Sequence, residues 1–501
     1  KAVELETFVV SGLRGSLASA AEIKQSNLQL VDSIVASDID KLPDINASYA
    51  LSRIPGVQLA RTFSSLGGNG AVTIRGLNQI VNTLDGREVI TPGGIANGTA
   101  GVGVGQRTFD YSQIPSASIA GIDVYKTSAA NQIDGGLGGL VDVRLRKPFD
   151  FAEGVSGGVT VGTSHSTLRG GNEQNYNLFA NASRDTDMGK IGVLVTVSNI
   201  TTPWREDAIG IGNPTPNATV TTGVASALTS TGYTNNSSEG EFKTDGFNAV
   251  FQWQPTKTLS LFVGANHNRW RNVQDTVQFQ TSTPVSASVA GSGIMFEGST
   301  TATRSARFTN VTGTAYGLIR DLEDNLNMYS FGGKYTSGNL TVNFDLATYT
   351  SEYRFHNNLV FASATIPSLT YDLGGEIPSV TISGVSLMDP SVYRLSQVNY
   401  RLFPANSDGK SGRVDAEYNL KSGLFTKILG GVRYSETGSD NGTTGLFLGS
   451  FTIPSSANLL SQYPNLWRQS PIQNLFSGYS QTQFQQYMVS DTRVMRDAKS
   501  L

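Results

Sequence analysis

Three histidines are the first residues to consider for catalysis or metal binding. They are His165, His267 and His356, and the chain has no cysteine. A zinc site, or a triad of nucleophile, histidine and acid, needs partner residues at suitable spacing, and none accompanies these histidines. The absence of cysteine excludes thiolate metal sites, disulfides and cysteine nucleophiles. We therefore expect each histidine to be an ordinary strand or loop residue.

Two further patterns resemble ligand sites but lack essential members. Asp38, Asp40 and Asp44 are spaced somewhat as in a calcium loop, but the glycine and the terminal glutamate of that loop are missing. The glycine-rich stretches 101–105 and 135–139 are not followed by the Lys-Ser or Lys-Thr that a phosphate-binding loop requires. The sequence therefore predicts no enzyme, no bound metal and no cofactor.

Composition narrows the class of protein further. The 501 residues carry a net charge of -3, and 15% of them are charged, compared with about 25% in average soluble domains. There is no basic excess to neutralise phosphates, so we expect no nucleic-acid partner. No run of about 18 apolar residues is present, so a membrane role would require a closed barrel of strands.

Residues 1–150 have the pattern of a small α+β unit. A helix is predicted by apolar residues at helical spacing and is ended by a Pro-Gly pair; these are Ala47, Ala50, Leu51, Ile54 and then Pro55-Gly56. Three short strands are predicted at 72–75, 121–125 and 141–145 from their β-branched or alternating residues. The pattern of residues 1–150 therefore predicts a compact domain of helix and strands.

Beyond about residue 155 the pattern changes to repeated strands in which apolar and polar residues alternate. The alternating segments are 155–161, 191–197, 247–253, 259–265, 340–346, 414–420 and 428–434. A soluble sandwich turns the apolar face inward, whereas a transmembrane barrel turns it outward against lipid. Alternation alone therefore leaves both architectures open.

The connections between these strands favour the barrel. Tight turns are expected at 185–189, 255–258, 336–339 and 421–424, and they alternate with long stretches near 200–241, 272–323, 355–409 and 439–485. Outer-membrane barrels have short periplasmic turns and long extracellular loops. Loops of this length are uncommon in compact soluble domains.

Several motifs in the first 150 residues, taken in order, resemble the plug domain of TonB-dependent outer-membrane receptors. They are Asp38–Asp44, Ala50–Val57, Val72–Leu77 with its Ile-Arg-Gly, Leu84–Glu88, Ile114–Lys126 and the glycine-rich Gly135–Val143. A further segment resembles a TonB box, which pairs with TonB as an added strand; it consists of Glu6, Thr7, Phe8, Val9 and Val10. On its own, that segment could equally be an ordinary short strand or a disordered terminus.

The resemblance implies roles for particular plug residues. Arg75, followed by Gly76, and Arg144 stand on plug strands, where the family's arginines lie against carboxylates of the barrel wall; a surface position is the alternative. A group of glycines would allow close backbone approach and positive φ where the plug ends; these are Gly135, Gly136, Gly138 and Gly139.

The expected architecture is mainly β, with a small α+β plug domain followed by antiparallel transmembrane strands. Residues 1–12 are expected to be the TonB-box-like segment, 13–150 the plug and 151–501 the N-terminal portion of the barrel. About nine or ten strands are recognisable, compared with about 22 in plugged outer-membrane transporters. We therefore expect the barrel formed by these strands to be incomplete.

The resemblance also implies a function. It is the active transport of a scarce nutrient, either a ferric siderophore or an oligosaccharide, across the outer membrane of a Gram-negative cell. The implied partners are TonB with the inner-membrane energy-transducing complex, outer-membrane lipid and a small nutrient ligand. A passive porin or surface adhesin, which would lack a plug, and a soluble β-sandwich binding module are the alternatives.

Overall fold

The structure is a computed structural model that describes most of the chain between residues 20 and 494. The described residues are 20–25, 27, 29–35, 46–59, 72–92, 109–420, 425–441, 446–452, 459–470, 486–491 and 494. Residues Glu6–Val10, the aspartates at 38, 40 and 44, and the turn expected at 421–424 lie outside these ranges. Within them, no helix has both the length and the apolar character needed to cross a membrane.

The first part of the chain forms a small α+β domain, here called the plug unit. Its elements are helix α1 (Ala47–Leu51) and strands β1 (Val31–Val35), β2 (Val57–Leu59), β3 (Val72–Ile74), β4 (Ile80–Leu84), β5 (Arg87–Glu88), β6 (Ile119–Tyr125) and β7 (Gly139–Leu145). One sheet has the order β1-β6-β7-β4-β5, with β4 and β7 parallel, and β2 pairs with β3. The three strands expected from the sequence correspond to β3, β6 and β7.

Helix α1 forms where the apolar spacing predicted it. The side chain of Asn46 caps its first turn, accepting hydrogen bonds from the backbone N–H groups of Ser48 at 3.1 Å and Tyr49 at 3.4 Å. The four apolar residues at helical spacing are all buried. Gly56 has a φ of 77°, a conformation that ends the local helical path and that glycine adopts without steric cost.

The remaining strands are β8 (Gly154–His165), β9 (Asn172–Thr186), β10 (Gly189–Ile211), β11 (Pro214–Pro216), β12 (Leu228–Ser230), β13 (Gly232–Thr256), β14 (Leu259–Ser282), β15 (Ile294–Met295), β16 (Thr303–Ser337), β17 (Leu340–Asp372), β18 (Ser379–Ser383), β19 (Tyr393–Asn419), β20 (Lys427–Asn441), β21 (Leu446–Thr452), β22 (Trp467–Gln469) and β23 (Met488–Ser490). Twelve of them form a large antiparallel sheet, here called the wall, whereas β11 pairs with β12 and β22 pairs with β23 in two separate small sheets. In the wall, β8-β9-β10-β13-β14-β16-β17-β19-β20 are neighbours in that order. Over the described residues the sheet is open, with edges at β8 and β20. The expected fold class is confirmed.

The wall strands are much longer than the sequence pattern suggested. β16 has 35 residues and β17 has 33, so most of the stretches expected to be long loops near 272–323 and 355–409 are strand. The alternation was missed there because the apolar side chains change faces along these strands. The short turns at 187–188, 257–258 and 338–339 are confirmed, and the longer connections 212–231, 283–302 and 373–392 lie at the other end of the sheet.

Near the short turns, the two faces of the wall have the reverse of a soluble protein's polarity. The outer face carries exposed apolar side chains, here called the apolar belt: Val193, Val197, Phe247, Phe251, Val263, Tyr329, Phe331, Leu346, Val414, Tyr418, Ile428, Val432 and Tyr434. The inner face buries polar side chains, among them Thr196, Asn248 and Asn266. On β14 the apolar residues of this face, Leu259, Leu261, Val263 and Ala265, span about 20 Å of strand, comparable with the apolar band of about 25 Å on outer-membrane barrels.

The plug unit packs on the inner face of the wall. Its apolar core includes Leu326, Met328 and Tyr349 from wall strands β16 and β17. Farther from the short turns, the apolar residues of the same strands lie on the opposite face, where Phe279, Ala315 and Ile366 form a second core with residues near Trp467 and Tyr487. The plug therefore occupies only the part of the wall next to the short turns.

Candidate functional site

A tight hairpin of the plug unit directs one arginine toward the wall. Asp85 and Gly86 join β4 to β5 and have φ values of 53° and 75°, the positive pair that a type I′ turn requires. Asp85 is fixed in the turn because its carboxylate accepts the Leu145 backbone N–H at 2.9 Å. The next residue, Arg87, begins β5 and contacts the inner face of the wall.

Arg87 forms a bidentate ion pair with Asp345 of wall strand β17. Its Nε and Nη2 atoms donate to the two carboxylate oxygens at 2.7 and 2.6 Å, the bidentate geometry that guanidinium groups favour. The Arg87 side chain is 5% exposed, and its guanidinium carbon lies 5.9 Å from the ring centre of Phe262. Burial by itself would lower the pKa of Arg87, but Asp345 and Asp85 raise it above its ordinary value.

A charge-balanced cluster surrounds this ion pair. From the plug unit it contains Asp85, Arg87, Asp142 and Lys147, and from the wall Asp345, Arg413, Asp415 and Arg433. Arg433 donates to the Gly86 carbonyl oxygen at 3.1 Å. Burial by itself would raise the pKa of Asp85, but Lys147 and Arg87 hold it below the usual range. These contacts join the plug unit to three adjacent wall strands, β17, β19 and β20.

A second polar contact joins the plug unit to the wall through neutral donors. Gln113 Nε2 donates to Asp324 of β16 at 2.9 Å, and Ser351 of β17 donates to the same carboxylate at 2.7 Å. On the plug side, burial raises the pKa of Asp110 to about 6, although hydrogen bonds from Ser112 partly oppose the shift. Close packing accompanies this contact, because a Cβ on Gly246 of β13 would lie 2.5 Å from Pro115.

Arg75 and Arg144 have different surroundings from those that the resemblance implied. Arg75 and Gly76 have φ values of 54° and 79° and form the tight turn after β3, with Arg75 exposed. Arg144 pairs at 2.8 Å with Asp123 on the neighbouring plug strand β6. Among the described ion pairs, the plug arginine that meets a wall carboxylate is Arg87, whose Asp-Gly turn was the available sequence signal.

The glycine-rich segment before β7 has the close backbone approach expected of it. Gly135 and Gly139 have φ values of 109° and 134°. Built Cβ atoms would overlap the Gly139 carbonyl at Gly136 and the Tyr125 carbonyl at Gly139, and one at Gly138 would lie 3.0 Å from Ile80. These glycines let β7 pass between β4 and β6, which holds the centre of the plug sheet together.

Substituting Gly139 with alanine is expected to destabilise the plug unit by about 3 kcal/mol, because backbone strain and steric overlap add. The measurement is urea unfolding of the full chain in detergent, followed by protease cleavage within residues 46–150. Gly430→Ala is the matched control, since nothing lies within 4 Å of its Cβ position. Equal midpoints for the two variants would contradict the packing role of Gly139.

The part of the chain that forms the plug unit is matched by a family comparison. Residues 24–140 match the family model described as "TonB-dependent Receptor Plug Domain". The chain carries a TonB-dependent receptor plug domain. The resemblance to TonB-dependent outer-membrane receptors is thereby confirmed, and both Arg87 and the glycine-rich segment lie within or at the edge of the plug domain so matched.

Solved structures were also similar to the chain at low identity. The unliganded ferric citrate transporter FecA is 12% identical, with 85% of this chain and 80% of that chain covered and a TM-score of 0.30. A ferric enterobactin receptor (PfeA) mutant from Pseudomonas aeruginosa is 12% identical, with 84% and 72% covered and a TM-score of 0.37. The siderophore receptor PirA from Acinetobacter baumannii is 11% identical, with 82% and 75% covered and a TM-score of 0.31.

TM-scores below 0.5 establish no equivalence of fold, so the assignment rests on the plug domain. Among curated proteins, no sequence matches this chain.

Two of the three histidines first considered for chemistry have hydrogen-bonding partners on adjacent wall strands. His165 lies 2.8 Å from Asn172 on the adjacent strand, and His267 lies 2.6 Å from Asn327.

Proposed function

We propose that this chain takes part in TonB-dependent uptake of a scarce nutrient across the outer membrane of a Gram-negative cell. The observation that carries the proposal is the reversed polarity of the wall near the short turns, where the exposed outer face is apolar while the inner face buries amides and hydroxyls. Lipid suits the outer face. Residues 1–12 would be the TonB-binding segment, 13–150 the plug and 151–501 the barrel portion.

The plug domain is held by contacts that a pulling force could break one after another. The Arg87–Asp345 pair and the charges around it hold one side, and the Gln113–Asp324 contact holds another. Each is polar and directional, so a small displacement weakens it steeply. Ligand binding from outside the cell would favour release of the plug from the wall. TonB would supply the mechanical work for that release.

The TonB-binding segment is proposed at Glu6–Val10. Pairing by strand addition uses backbone hydrogen bonds and needs little side-chain specificity, which suits a mechanical coupling. The energy would come from the inner-membrane complex that drives TonB. A passive porin fits less well because a plug domain is present, and a soluble β-sandwich fits less well because the apolar residues of the wall near the short turns are exposed.

The test is an uptake assay in intact cells with the full receptor and with a variant lacking residues 1–12. We expect ligand binding at the cell surface to be unchanged and accumulation to fall to the level of cells without the receptor. Collapse of the inner-membrane proton gradient should have the same effect on the unaltered receptor. Accumulation that persists in both conditions would mean passive permeation and would reject the proposal.

A further inference from the structure

The plug–wall contact at Asp324 differs from the Arg87–Asp345 pair because its described hydrogen bonds come from neutral groups. Asp324 of β16 is 3% exposed. Its two carboxyl oxygens accept from Gln113 Nε2 at 2.9 Å and from Ser351 Oγ at 2.7 Å. A buried carboxylate that keeps its charge normally requires a cationic partner. The contact therefore suits an uncharged carboxyl group better than an ionised one.

One acid and one more distant cation face Asp324. The acid is Asp110 of the plug unit, which repels a negative charge on Asp324. The cation is Arg320, which lies four residues along β16 on the same face, or about 13 Å of strand, and whose charge acts on Tyr353. In the register Asp324 lies opposite Trp270 of β14 and Tyr353 of β17, and neither carries a positive charge. Two acids that share a buried site do not both ionise readily.

The amide of Gln113 has an unpaired acceptor beside this carboxyl group. Gln113 is 0% exposed, and its Oε1 atom has no hydrogen-bond partner among the described residues. Because Oε1 and Nε2 are bonded to the same carbon, this acceptor lies next to the carboxyl group that Nε2 already contacts. A protonated carboxyl group has an O–H donor that a carboxylate lacks. Buried polar atoms are nearly always satisfied in native proteins, and a proton on Asp324 would satisfy this one.

We infer that Asp324 is protonated while the plug unit is docked, and that its acid group and the Gln113 amide form a proton-dependent latch between plug and wall. A proton that is bound more tightly in the docked state stabilises docking at low pH. On the plug side Asp110 acts in the same direction, because burial raises its pKa to about 6. Its contribution is full below about pH 4, the ordinary carboxyl value, and is lost as the pH rises through about 6. The inference goes beyond transport, because it concerns only how the plug is held.

The test is limited proteolysis of the full receptor in detergent at about pH 7.5 and about pH 5.5, with an unstructured reporter peptide in each reaction to correct for the pH dependence of the protease. Cleavage within residues 46–150 follows the population of released plug, so we expect it to slow about tenfold at the lower pH. Asp324→Asn keeps a neutral group in the latch and should be cleaved slowly at both pH values. Asp321→Asn is the matched control, because Asp321 pairs with Arg271 on the outer face of the wall, and it should retain the pH dependence of the unaltered receptor.

Infrared spectroscopy detects the proton directly, whether or not a variant alters folding. At the lower pH the unaltered receptor should show the C=O stretching band of a buried protonated carboxyl group, and Asp324→Asn should remove that band while Asp321→Asn keeps it. The inference is overturned if Asp324→Asn leaves the band in place, or if Asp324→Asn retains the pH dependence of cleavage. Loss of that dependence in Asp110→Asn would then assign the proton to Asp110. Neither measurement involves uptake, so a failure here leaves the proposed transport function standing.

Discussion

Replacing Arg87 with alanine is expected to release the plug domain from the wall on the side of β17. The substitution leaves the Asp345 carboxylate, which is 19% exposed, without its partner in a mostly buried position. Removing one member of a buried ion pair costs about 3–5 kcal/mol, because the remaining charge stays desolvated. We therefore expect a plug that is cleaved faster by proteases and cells that become sensitive to large antibiotics normally excluded by the outer membrane.

The matched control is Arg269→Ala, which removes an arginine–carboxylate pair between two adjacent wall strands rather than between the plug and the wall. Arg269 and Glu323 are 2.8 Å apart but lie on the exposed outer face, where such a pair contributes about 0–1 kcal/mol. The double variant Arg87→Ala with Asp345→Ala should be less damaging than the sum of the single variants, because no unpaired charge remains. Equal protease resistance for Arg87→Ala and Arg269→Ala would refute the role of the Arg87–Asp345 pair.

Placing arginine at Val263 is expected to block stable insertion of the wall into a bilayer. Val263 is 53% exposed and lies in the middle of the apolar belt on β14. A cationic side chain facing lipid near the bilayer midplane costs about 2–4 kcal/mol. If the belt faced water instead, the substitution would be close to neutral or would improve solubility. The measurement is the folded fraction in phospholipid vesicles across a urea series.

The matched control is Val273→Arg. It introduces the same side chain on the same face of β14, but farther from the short turns. Val273 lies ten residues farther along β14, opposite Asp321 and Glu241 in the register. Arginine at Val273 would enter a charged belt above the lipid, so folding should be unaffected or slightly improved. A Val273→Arg variant as defective as Val263→Arg would mean that the outer face has no membrane boundary between them.

Local structure could be predicted from the sequence where a short pattern is sufficient. The spacing of Ala47, Ala50 and Leu51 predicted α1, and three of the four short turns expected in the wall lie in the described residues and are confirmed. The motif order from Asp38 to Val143 indicated a plug domain, and the family match over residues 24–140 confirms that identification. These predictions succeeded because hydrogen bonding and burial over a few residues fix a helix, a strand or a tight turn.

The lengths of the wall strands could not be read in the same way. On β17, Tyr349, Ser351 and Tyr353 are buried on one face, while Val360, Ala362 and Ala364 are buried on the other. The buried residues of β17 change faces because the plug covers the inner face near the short turns. Farther from the short turns, a separate core covers the outer face. The alternation of apolar and polar residues is therefore interrupted in the middle of a continuous strand. From the sequence, this stretch had the pattern of a loop.

The sequence by itself determined the plug motifs, the alternation of the wall and the tight Asp85-Gly86 turn that leads into Arg87. Only the tertiary structure decided which face of the wall is buried and which arginine meets a wall carboxylate. Arg87 and Asp345 are 258 residues apart, and no local rule links two side chains at that separation. Their pairing depends on how the plug sheet rests against β17, because a salt bridge requires both charges to reach one place.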